Sequence, residues 1–219
     1  MERAVRFLRE SRQRQDNRLG AGEKGMEKSK GEETKQRMLD KTAELLRTQG
    51  YHGTGLNEII QKSGSPKGSL YYYFPEGKEQ LASEAILRAG QIVSDRFRVQ
   101  TADEPDPAKA IHDFLYMIAK RMEETKFYTG STMTMIAMET VAESKRINKA
   151  CQEGYAMLIG AFKDKLLLGD MDESKAGDMA EMIIAAVEGG IILSRTYHDA
   201  NHLRRIADHI FQMLKANKM

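Results

Sequence analysis

The chain has 219 residues, of which 41% are hydrophobic and 30% charged, and its net charge is +2, the balance of an ordinary globular protein. No apolar run approaches the roughly 18 residues of a membrane span, the Arg-rich N-terminus lacks the apolar core of a secretory signal, and a single cysteine excludes an internal disulfide, so we expect a cytoplasmic protein. Residues 1–78 carry 16 Lys and Arg against 11 Asp and Glu, which is compatible with phosphate binding at this end, although ordinary charge scatter would look the same.

The N-terminal segment, residues 1–31, has no apolar periodicity and is rich in Arg, Gln, Glu, Lys and Gly. This composition predicts a disordered basic arm, which either touches DNA or is a plain tail. Met26 is an alternative natural start, in which case the stretch before it is an extension. A helix follows from residue 32, because Met38 and Leu45 lie on one helical face, and Gly50 predicts its C-terminal end.

Two short helices separated by a glycine are predicted next. Thr54 is placed to cap a helix over residues 55–63, and Gly64 supplies the turn. Ser65 is then expected to cap a second helix with Pro66 at its first position, where the missing N–H is no loss.

The second short helix, residues 65–74, has two distinct faces. Leu70 and Phe74 are spaced i,i+4 and are expected to face inward. A smooth Gly/Ser surface with one Lys and several Tyr hydroxyls suits close approach in the major groove of DNA. The same pattern would also fit an ordinary helical hairpin whose Tyr-rich face packs against the protein. The outward positions are Lys67, Gly68, Ser69, Tyr71 and Tyr72.

Residues 54–81 contain the motifs T-x-L-x-x-I, G-x-x-K-G-S-L-Y-Y-Y-F and K-E-x-L in that order. This stretch resembles the signature of the TetR/AcrR family of transcriptional regulators. Pro66 and the extra residue before Lys78 resemble the LmrA/YxaF subgroup in particular, which contains repressors of drug-resistance and flavonoid-responsive genes. The chain departs from the family pattern at Ile60, where the family has a small residue, and at Ser65, where it has a buried Val.

The resemblance implies an all-α fold with a helix-turn-helix DNA-binding domain at residues 32–78 and a ligand-binding and dimerisation domain at residues 79–219. Its partners would be double-stranded operator DNA, a second copy of the chain and a small effector. Lys35 and Arg37, in the first helix, are expected to anchor the DNA backbone. The resemblance also implies phosphate contacts for Thr54, Lys67, Tyr72, Tyr73 and Lys78, and places Ser65, Pro66, Ser69 and Tyr71 nearest the bases.

The rest of the chain is predicted to be helical, with no strand-like alternation of any length. A long helix over residues 77–99 is broken by two prolines, and glycines and a turn near His198 separate the later helices. The later helices are expected at about 107–124, 131–146, 148–168, 173–198 and 201–216, with Gly130 and Gly169 between them.

Nine of the 14 methionines fall between Met117 and Met182, interleaved with aromatic residues. Because Met is flexible and polarisable, this composition suits a pocket for a small apolar or aromatic effector, although core gap-filling would explain any single Met. The subgroup tends to have Gly-Cys-Pro where this chain has Gly130-Ser131-Thr132, so the effector is expected to differ. The candidate pocket residues are Phe114, Met117, Phe127, Tyr128, Met133, Met135, Met138, Tyr155 and Met182.

Adjacent glycines interrupt the apolar stripe of the helix over residues 173–198. Each costs about 1 kcal/mol relative to Ala inside a helix, so close backbone approach is the expected compensation. A four-helix dimer interface with the last helix fits, and the resemblance favours it over a helix buried within the monomer. A dimer also suits operator half-sites one turn apart. The candidate interface residues are Met179, Ile183, Ala186, Gly189, Gly190, Leu193, Ile206, Ile210 and Met213.

An enzyme is the main competing class. The sequence has no Gly-rich phosphate loop, Cys-x-x-Cys or Gly-x-Ser-x-Gly motif, so no catalytic residue and no cofactor are assigned. His198 and His202 are spaced to share a metal but lack a third ligand, so no metal site is assigned, and Cys151 is expected to be a packing residue. A regulator without a ligand is the other alternative, but about 140 residues exceed what dimerisation needs. The sequence therefore predicts a ligand-responsive repressor.

Overall fold

The computed structural model describes residues 29–128, 132–140 and 142–216, and these residues form nine helices and no strand. The predicted all-α class is therefore confirmed. None of the helices in these ranges is long and apolar enough to cross a bilayer. In chain order the helices are α1 (Lys30–Gly53), α2 (Leu56–Ser63), α3 (Lys67–Tyr73), α4 (Lys78–Gln100), α5 (Pro107–Glu124), α6 (Thr132–Thr140), α7 (Lys145–Leu167), α8 (Glu173–Tyr197) and α9 (Asn201–Ala216).

The chain divides into two compact units, Met1–Thr34 and Lys35–Met219. In the first unit only residues 29–34 are described, and α1 already begins at Lys30, inside the segment predicted to be a basic arm. The Ser29 hydroxyl accepts a hydrogen bond from the Glu32 N–H at 3.2 Å. The rest of the predicted arm, residues 1–28, lies outside the described residues.

The second unit begins with the helices that form the predicted DNA-binding domain. The predicted helix end is confirmed as a break at Gly50, whose φ of 76° is a left-handed value that favours glycine. Met38 on α1, Ile59 on α2 and Leu70 on α3 are fully buried, and so is Phe74 directly after α3. The i,i+4 pair predicted to face inward therefore does so.

The capping predictions for α2 and α3 were wrong. The N-cap of α2 is Gly55, and the Thr54 hydroxyl instead donates to the Gly50 carbonyl at 2.6 Å, because the break in α1 leaves that carbonyl without a helical partner. The N-cap of α3 is Pro66 rather than Ser65, and the Ser65 hydroxyl contacts the Ser63 carbonyl. Neither α2 nor α3 has a side-chain cap.

The larger part of the unit is a helical bundle built around α4 and α7. Phe97 of α4 stacks on Phe162 of α7 with ring centroids 4.0 Å apart, and Phe114 of α5 meets Phe97 edge-on at 5.0 Å. Further along the same pair, a Cβ at Gly90 would lie 3.0 Å from the Gly154 Cα. The two backbones therefore approach each other so closely that Gly90 has no room for a side chain, whereas a Cβ at Gly154 would meet the Met133 sulfur.

The helix predicted at 131–146 was wrong in extent, because α6 ends at Thr140 and α7 begins at Lys145. The Ser144 hydroxyl accepts the Ile147 N–H at 3.0 Å, which is an N-cap that the sequence interpretation missed. Gly130, predicted as the preceding break, lies outside the described residues. The helices predicted at 107–124, 173–198 and 201–216 are confirmed to within a residue.

Candidate DNA-binding surface and effector cavity

The outward face of α3 is the most exposed aromatic surface of the predicted DNA-binding domain. Tyr71 is 52% exposed and Tyr72 is 79% exposed, and the rings of Tyr72 and Tyr73 meet edge-on at 4.9 Å. Lys67 and Gly68 are also exposed, while Ser69 is partly buried. The alternative in which this Tyr-rich face packs against the protein is therefore not what the structure has. The face is free to enter a groove.

Two of the predicted DNA contacts do not belong to this face. Thr54 and Ser65 are buried, and each hydroxyl contacts a carbonyl of its own loop. A buried hydroxyl cannot reach a phosphate or a base edge, so both residues stabilise the turn rather than contact DNA. Pro66 is exposed at the start of α3 and stays a prediction.

The predicted lysine anchors already have partners within the chain. Lys35 Nζ lies 2.9 Å from a Glu84 carboxylate oxygen, and Lys78 Nζ lies 4.2 Å from the ring centroid of Tyr51. Burial lowers the pKa of Lys78, and the nearby Glu139 carboxylate opposes that shift. Arg37 is exposed on α1. All three remain predicted contacts with the DNA backbone.

A cavity of about 410 Å³ lies between α1, α4, α5, α7 and α8, with Met133 of α6 in its wall. Its size is that of a small-molecule site. Most of its lining is apolar, and its inner wall includes Phe114, Met122, Leu158 and Phe162. Two of its walls, α1 and α4, are helices that continue into the predicted DNA-binding domain.

The cavity contains three of the nine predicted pocket residues, namely Phe114, Met117 and Met133. The helical rotation of 100° per residue explains part of the error, since it turns Met135 and Met138 away from Met133. Met138 is indeed 76% exposed. The other residues outside the lining are Phe127, whose ring meets His198, Tyr155, whose hydroxyl pairs with Thr134, and the exposed Tyr128 and Met182.

The sequence interpretation also missed a charged rim around the cavity. Arg47 of α1, Arg88 and Arg96 of α4 and Arg121 of α5 all contribute to its lining. No local signal distinguishes these arginines from ordinary surface residues, because the four come from three helices that only the fold brings together.

A carboxylate of α6 holds the break at the end of α1. The N–H groups of Tyr51 and His52 both donate to Glu139 Oε2, at 2.6 Å and 3.2 Å. A Cβ at Gly50 would overlap the same carboxylate, so glycine is needed here for space as well as for backbone conformation. Because Met133 at the other end of α6 lines the cavity, α6 connects the cavity wall to the base of the helix-turn-helix.

The two adjacent glycines of α8 face different neighbours. A Cβ at Gly190 would lie 2.8 Å from Ile206 of α9, whereas Gly189 has no atom within 4 Å of its Cβ position. Of the predicted interface residues, Ile183, Gly190 and Ile210 are buried within the chain, which corrects their assignment, and Met179, Ala186, Ile206 and Met213 are partly buried. The exposed stripe of α8 comprises Met182, Ala185, Ile192 and Leu193, with the partly buried Gly189 between them.

Cys151 is buried at the contact between α6 and α7, with its Sγ 4.0 Å from the Met133 carbonyl oxygen. Burial raises the pKa of this thiol to about 11, from an ordinary value of 9.0. The environment is that of a packing residue, as the sequence predicted, and not of a reactive thiolate.

We expect Cys151 in the folded protein to react with iodoacetamide at pH 8 roughly 100-fold more slowly than in urea-unfolded protein, since the raised pKa leaves that much less thiolate. Because the pKa of the thiol is higher in the folded than in the unfolded protein, its contribution to the free energy of unfolding is retained below about pH 9. This contribution falls as the pH rises towards 11. Mass spectrometry of alkylated protein measures the rate. Equal rates in the two states would contradict the assignment.

The histidine pair near the end of α8 has ordinary partners. The His198 ring meets Phe127 at 5.7 Å, and the His202 ring stacks on Tyr197 at 4.8 Å. Within residues 29–128, 132–140 and 142–216, no group of three or more His, Cys, Asp and Glu side chains is arranged to hold a metal ion.

Two family models match the chain, one before and one after residues 86–106, which contain most of α4 and the loop that follows it. Residues 38–85 match "Bacterial regulatory proteins, tetR family", and residues 107–209 match "Transcriptional regulator LmrA/YxaF-like, C-terminal domain". The first match covers α2 and α3, and the second covers most of the cavity wall outside α1 and α4. The subgroup resemblance seen in the sequence is therefore confirmed.

Similar proteins agree with these matches. The chain is 35% identical to the regulator YxaF of Bacillus subtilis over 81% of this chain and 93% of that protein, and 36% identical to LmrA of the same organism over 84% and 97%. Among solved structures, reduced Escherichia coli NemR aligns with a TM-score of 0.73 at 19% identity over 81% of this chain and 94% of that one. A TetR regulator of Chloroflexus aurantiacus aligns with a TM-score of 0.70 at 26% identity over 85% and 96%. The chain belongs to the TetR family of transcriptional regulators, and its C-terminal domain is of the LmrA/YxaF type.

Proposed function

We propose that this regulator is a repressor that binds operator DNA as a homodimer and is released by a small effector bound in the cavity of about 410 Å³. The observation that carries the proposal is that α1 and α4 form walls of that cavity and also belong to the DNA-binding end of the chain. An effector that prefers one arrangement of these helices would shift the orientation of α3.

The exposed face of α3 supports the DNA-binding part of the proposal. Tyr71 and Tyr72 offer rings for thymine methyl or sugar contacts and hydroxyls for phosphate. Lys67 supplies a positive charge beside them, and Gly68 leaves room for close approach to the groove floor. Arg37 lies exposed on α1, where it would anchor the neighbouring backbone.

The exposed apolar stripe of α8 supports the dimer. Met182, Ile192 and Leu193 are all more exposed than core residues of their type normally are, and Gly189 leaves a shallow site between them. A second copy that packs the same stripe in antiparallel fashion would bury these side chains around a two-fold axis. Two α3 helices would then read half-sites roughly 34 Å apart.

Leu193→Glu is expected to weaken the dimer by about 100-fold or more, because each copy would bury an unpaired carboxylate at the two-fold axis. Leu193 is 43% exposed in the monomer, so the change should leave the fold intact. Light scattering after size-exclusion chromatography measures the mass. Val99→Glu, at a 69% exposed apolar residue near the end of α4, is the matched control and should stay dimeric. A dimeric Leu193→Glu protein would contradict the interface.

Two routes would carry the effector signal to α3. The first is direct, since α4 runs from the cavity back to Lys78, four residues after the end of the helix-turn-helix at Phe74. The second runs through α6, in which Met133 lines the cavity and Glu139 holds the N–H groups of Tyr51 and His52. A shift of α6 would therefore change the support of the loop that joins α1 to α2.

Fluorescence anisotropy on an operator selected from random DNA tests the proposal, with candidate effectors chosen by thermal shift. A ligand at 100 times its Kd should add about 2.7 kcal/mol of stability, or roughly 5–10 °C, and should lower operator affinity. Ile118→Trp, which fills the cavity, should abolish both effects, whereas Val99→Trp should not. Ligands that bind in the cavity without any change in operator affinity would instead indicate a ligand-independent regulator.

A further inference from the structure

The cavity is apolar inside and charged at its rim. Arginines contribute to its lining from three helices, with Arg47 on α1, Arg88 and Arg96 on α4, and Arg121 on α5. The carboxylates in the lining are fewer, namely Asp40, Glu44 and Glu188. A site for a neutral apolar molecule has no need of this excess positive charge.

Each of the three carboxylates already has a partner. Arg88 Nε lies 2.9 Å from Asp40 Oδ1, and Lys41 Nζ lies 2.7 Å from Glu44 Oε2. Glu188 Oε2 accepts the Thr134 hydroxyl at 2.5 Å. Among the described residues, no carboxylate lies within 4.0 Å of a guanidinium nitrogen of the other three arginines, Arg47, Arg96 and Arg121. The lining therefore holds four arginines against three carboxylates, and Arg47, Arg96 and Arg121 have no carboxylate at ion-pair distance.

A second observation indicates that Arg47 lacks an interaction partner, in this case a hydrogen-bond acceptor. Its Nε–H is shielded from solvent and has no hydrogen-bond acceptor among the described residues. Burial lowers the pKa of Arg47, Glu44 nearby opposes that shift, and the positive charge of Arg121 adds to it. A buried donor beside a like charge is costly unless an acceptor is supplied. An anion between the two arginines would satisfy the donor and separate the charges.

We infer that the effector is an amphipathic organic carboxylate, with its anionic group held by Arg47, Arg96 and Arg121 and its apolar body against Phe114 and Phe162. This inference rests on the proposed function, and it replaces a neutral apolar effector by a charged one. Guanidinium groups match carboxylates in geometry, and the apolar interior would exclude water from the contact. Because Arg47 lies on α1 and Arg121 lies on α5, one bound carboxylate would connect the DNA-binding end directly to the effector domain.

Three probes with one chain length and different head groups test the inference: decanoate, 1-decanol and decylamine. Isothermal titration calorimetry on the full-length protein suits the measurement, since the chain has no Trp to report by fluorescence. Decanoate should bind about tenfold more tightly than 1-decanol, equivalent to ~1.4 kcal/mol, and decylamine should bind most weakly. Higher salt should weaken only the binding of decanoate.

Arg121→Gln and Arg96→Gln should each reduce the preference for decanoate over 1-decanol to less than about threefold. Both side chains are at least partly exposed, so folding should not depend on them. Arg98→Gln is the matched control, because Arg98 is on α4 two residues beyond Arg96 but pairs with Asp164 and does not line the cavity. Its preference for decanoate should be retained.

Equal affinity for the acid and the alcohol would overturn the inference, and so would tighter binding of the amine or a preference that survives Arg121→Gln. None of these results would contradict the proposed function, because an alcohol that releases the protein from the operator is still an effector. Failure of the proposed function has a different signature, in which probes bind and operator affinity does not change.

Discussion

Tyr72→Ala is expected to weaken operator binding by at least ~30-fold while leaving the melting temperature almost unchanged. Tyr72 is 79% exposed, and its only ring contact among the described residues is with Tyr73, so it contributes little to the fold. One contact to a base or phosphate is worth about 1–3 kcal/mol, and a homodimer loses it at both half-sites. Fluorescence anisotropy on the selected operator measures the loss.

Lys67→Ala separates a phosphate contact from base recognition on the same helix. If Lys67 binds phosphate, its loss should reduce the salt dependence of binding by about one counterion per half-site and weaken all sequences equally. Tyr128→Ala is the control for both variants, because Tyr128 is 71% exposed but lies beyond α5. Unchanged operator affinity in Tyr72→Ala and Lys67→Ala together would contradict the placement of α3 in the groove.

Glu139→Ala is expected to leave effector binding intact but to reduce the effector's influence on operator affinity to within about threefold. Coupling between sites is typically worth 1–3 kcal/mol, or roughly 5–150-fold, and this variant removes the contact between α6 and the end of α1. The N–H of Tyr51 would lose its acceptor, so we also expect a destabilisation of about 1–3 kcal/mol. Operator titrations with and without effector measure the coupling.

Two matched variants make the Glu139 experiment specific. Glu139→Gln keeps one acceptor oxygen and should retain part of the coupling. Glu143→Gln removes only an exposed carboxylate that lies 3.4 Å from the His52 ring, and it should behave like the unchanged protein. Full effector response in Glu139→Ala would show that the signal travels along α4 alone.

The dimer surface shows that helical periodicity can predict an apolar stripe but not the neighbour that the stripe packs against. The apolar stripe of α8 was evident from the sequence, but the stripe is wide enough to face two partners. Gly190 faces α9 of the same chain, whereas the neighbouring Gly189 has open space. A helix pattern gives the angle between two residues and does not say which neighbour lies at that angle, so Ile183 and Ile210 were assigned to the wrong contact.

Features that depend on backbone conformation and on spacing along the chain were predictable from the sequence. The turn at Gly64, the inward pair of Leu70 and Phe74 and the exposed tyrosines of α3 follow from backbone conformation and spacing within one or two helical turns. The same local signals located most helix boundaries, and a continuous motif identified the family.

Contacts between residues of different helices could not be predicted in this way. The cavity rim joins Arg47 to Arg121, and the support of the α1 break joins Tyr51 to Glu139, 88 positions later. Such pairs lie far apart along the chain and come together through the packing of several helices, for which the Gly90–Gly154 contact sets the distance between α4 and α7. No local pattern specifies that packing, and this is why the exposed face of α3 could be predicted from residue spacing while the lining of the cavity could not.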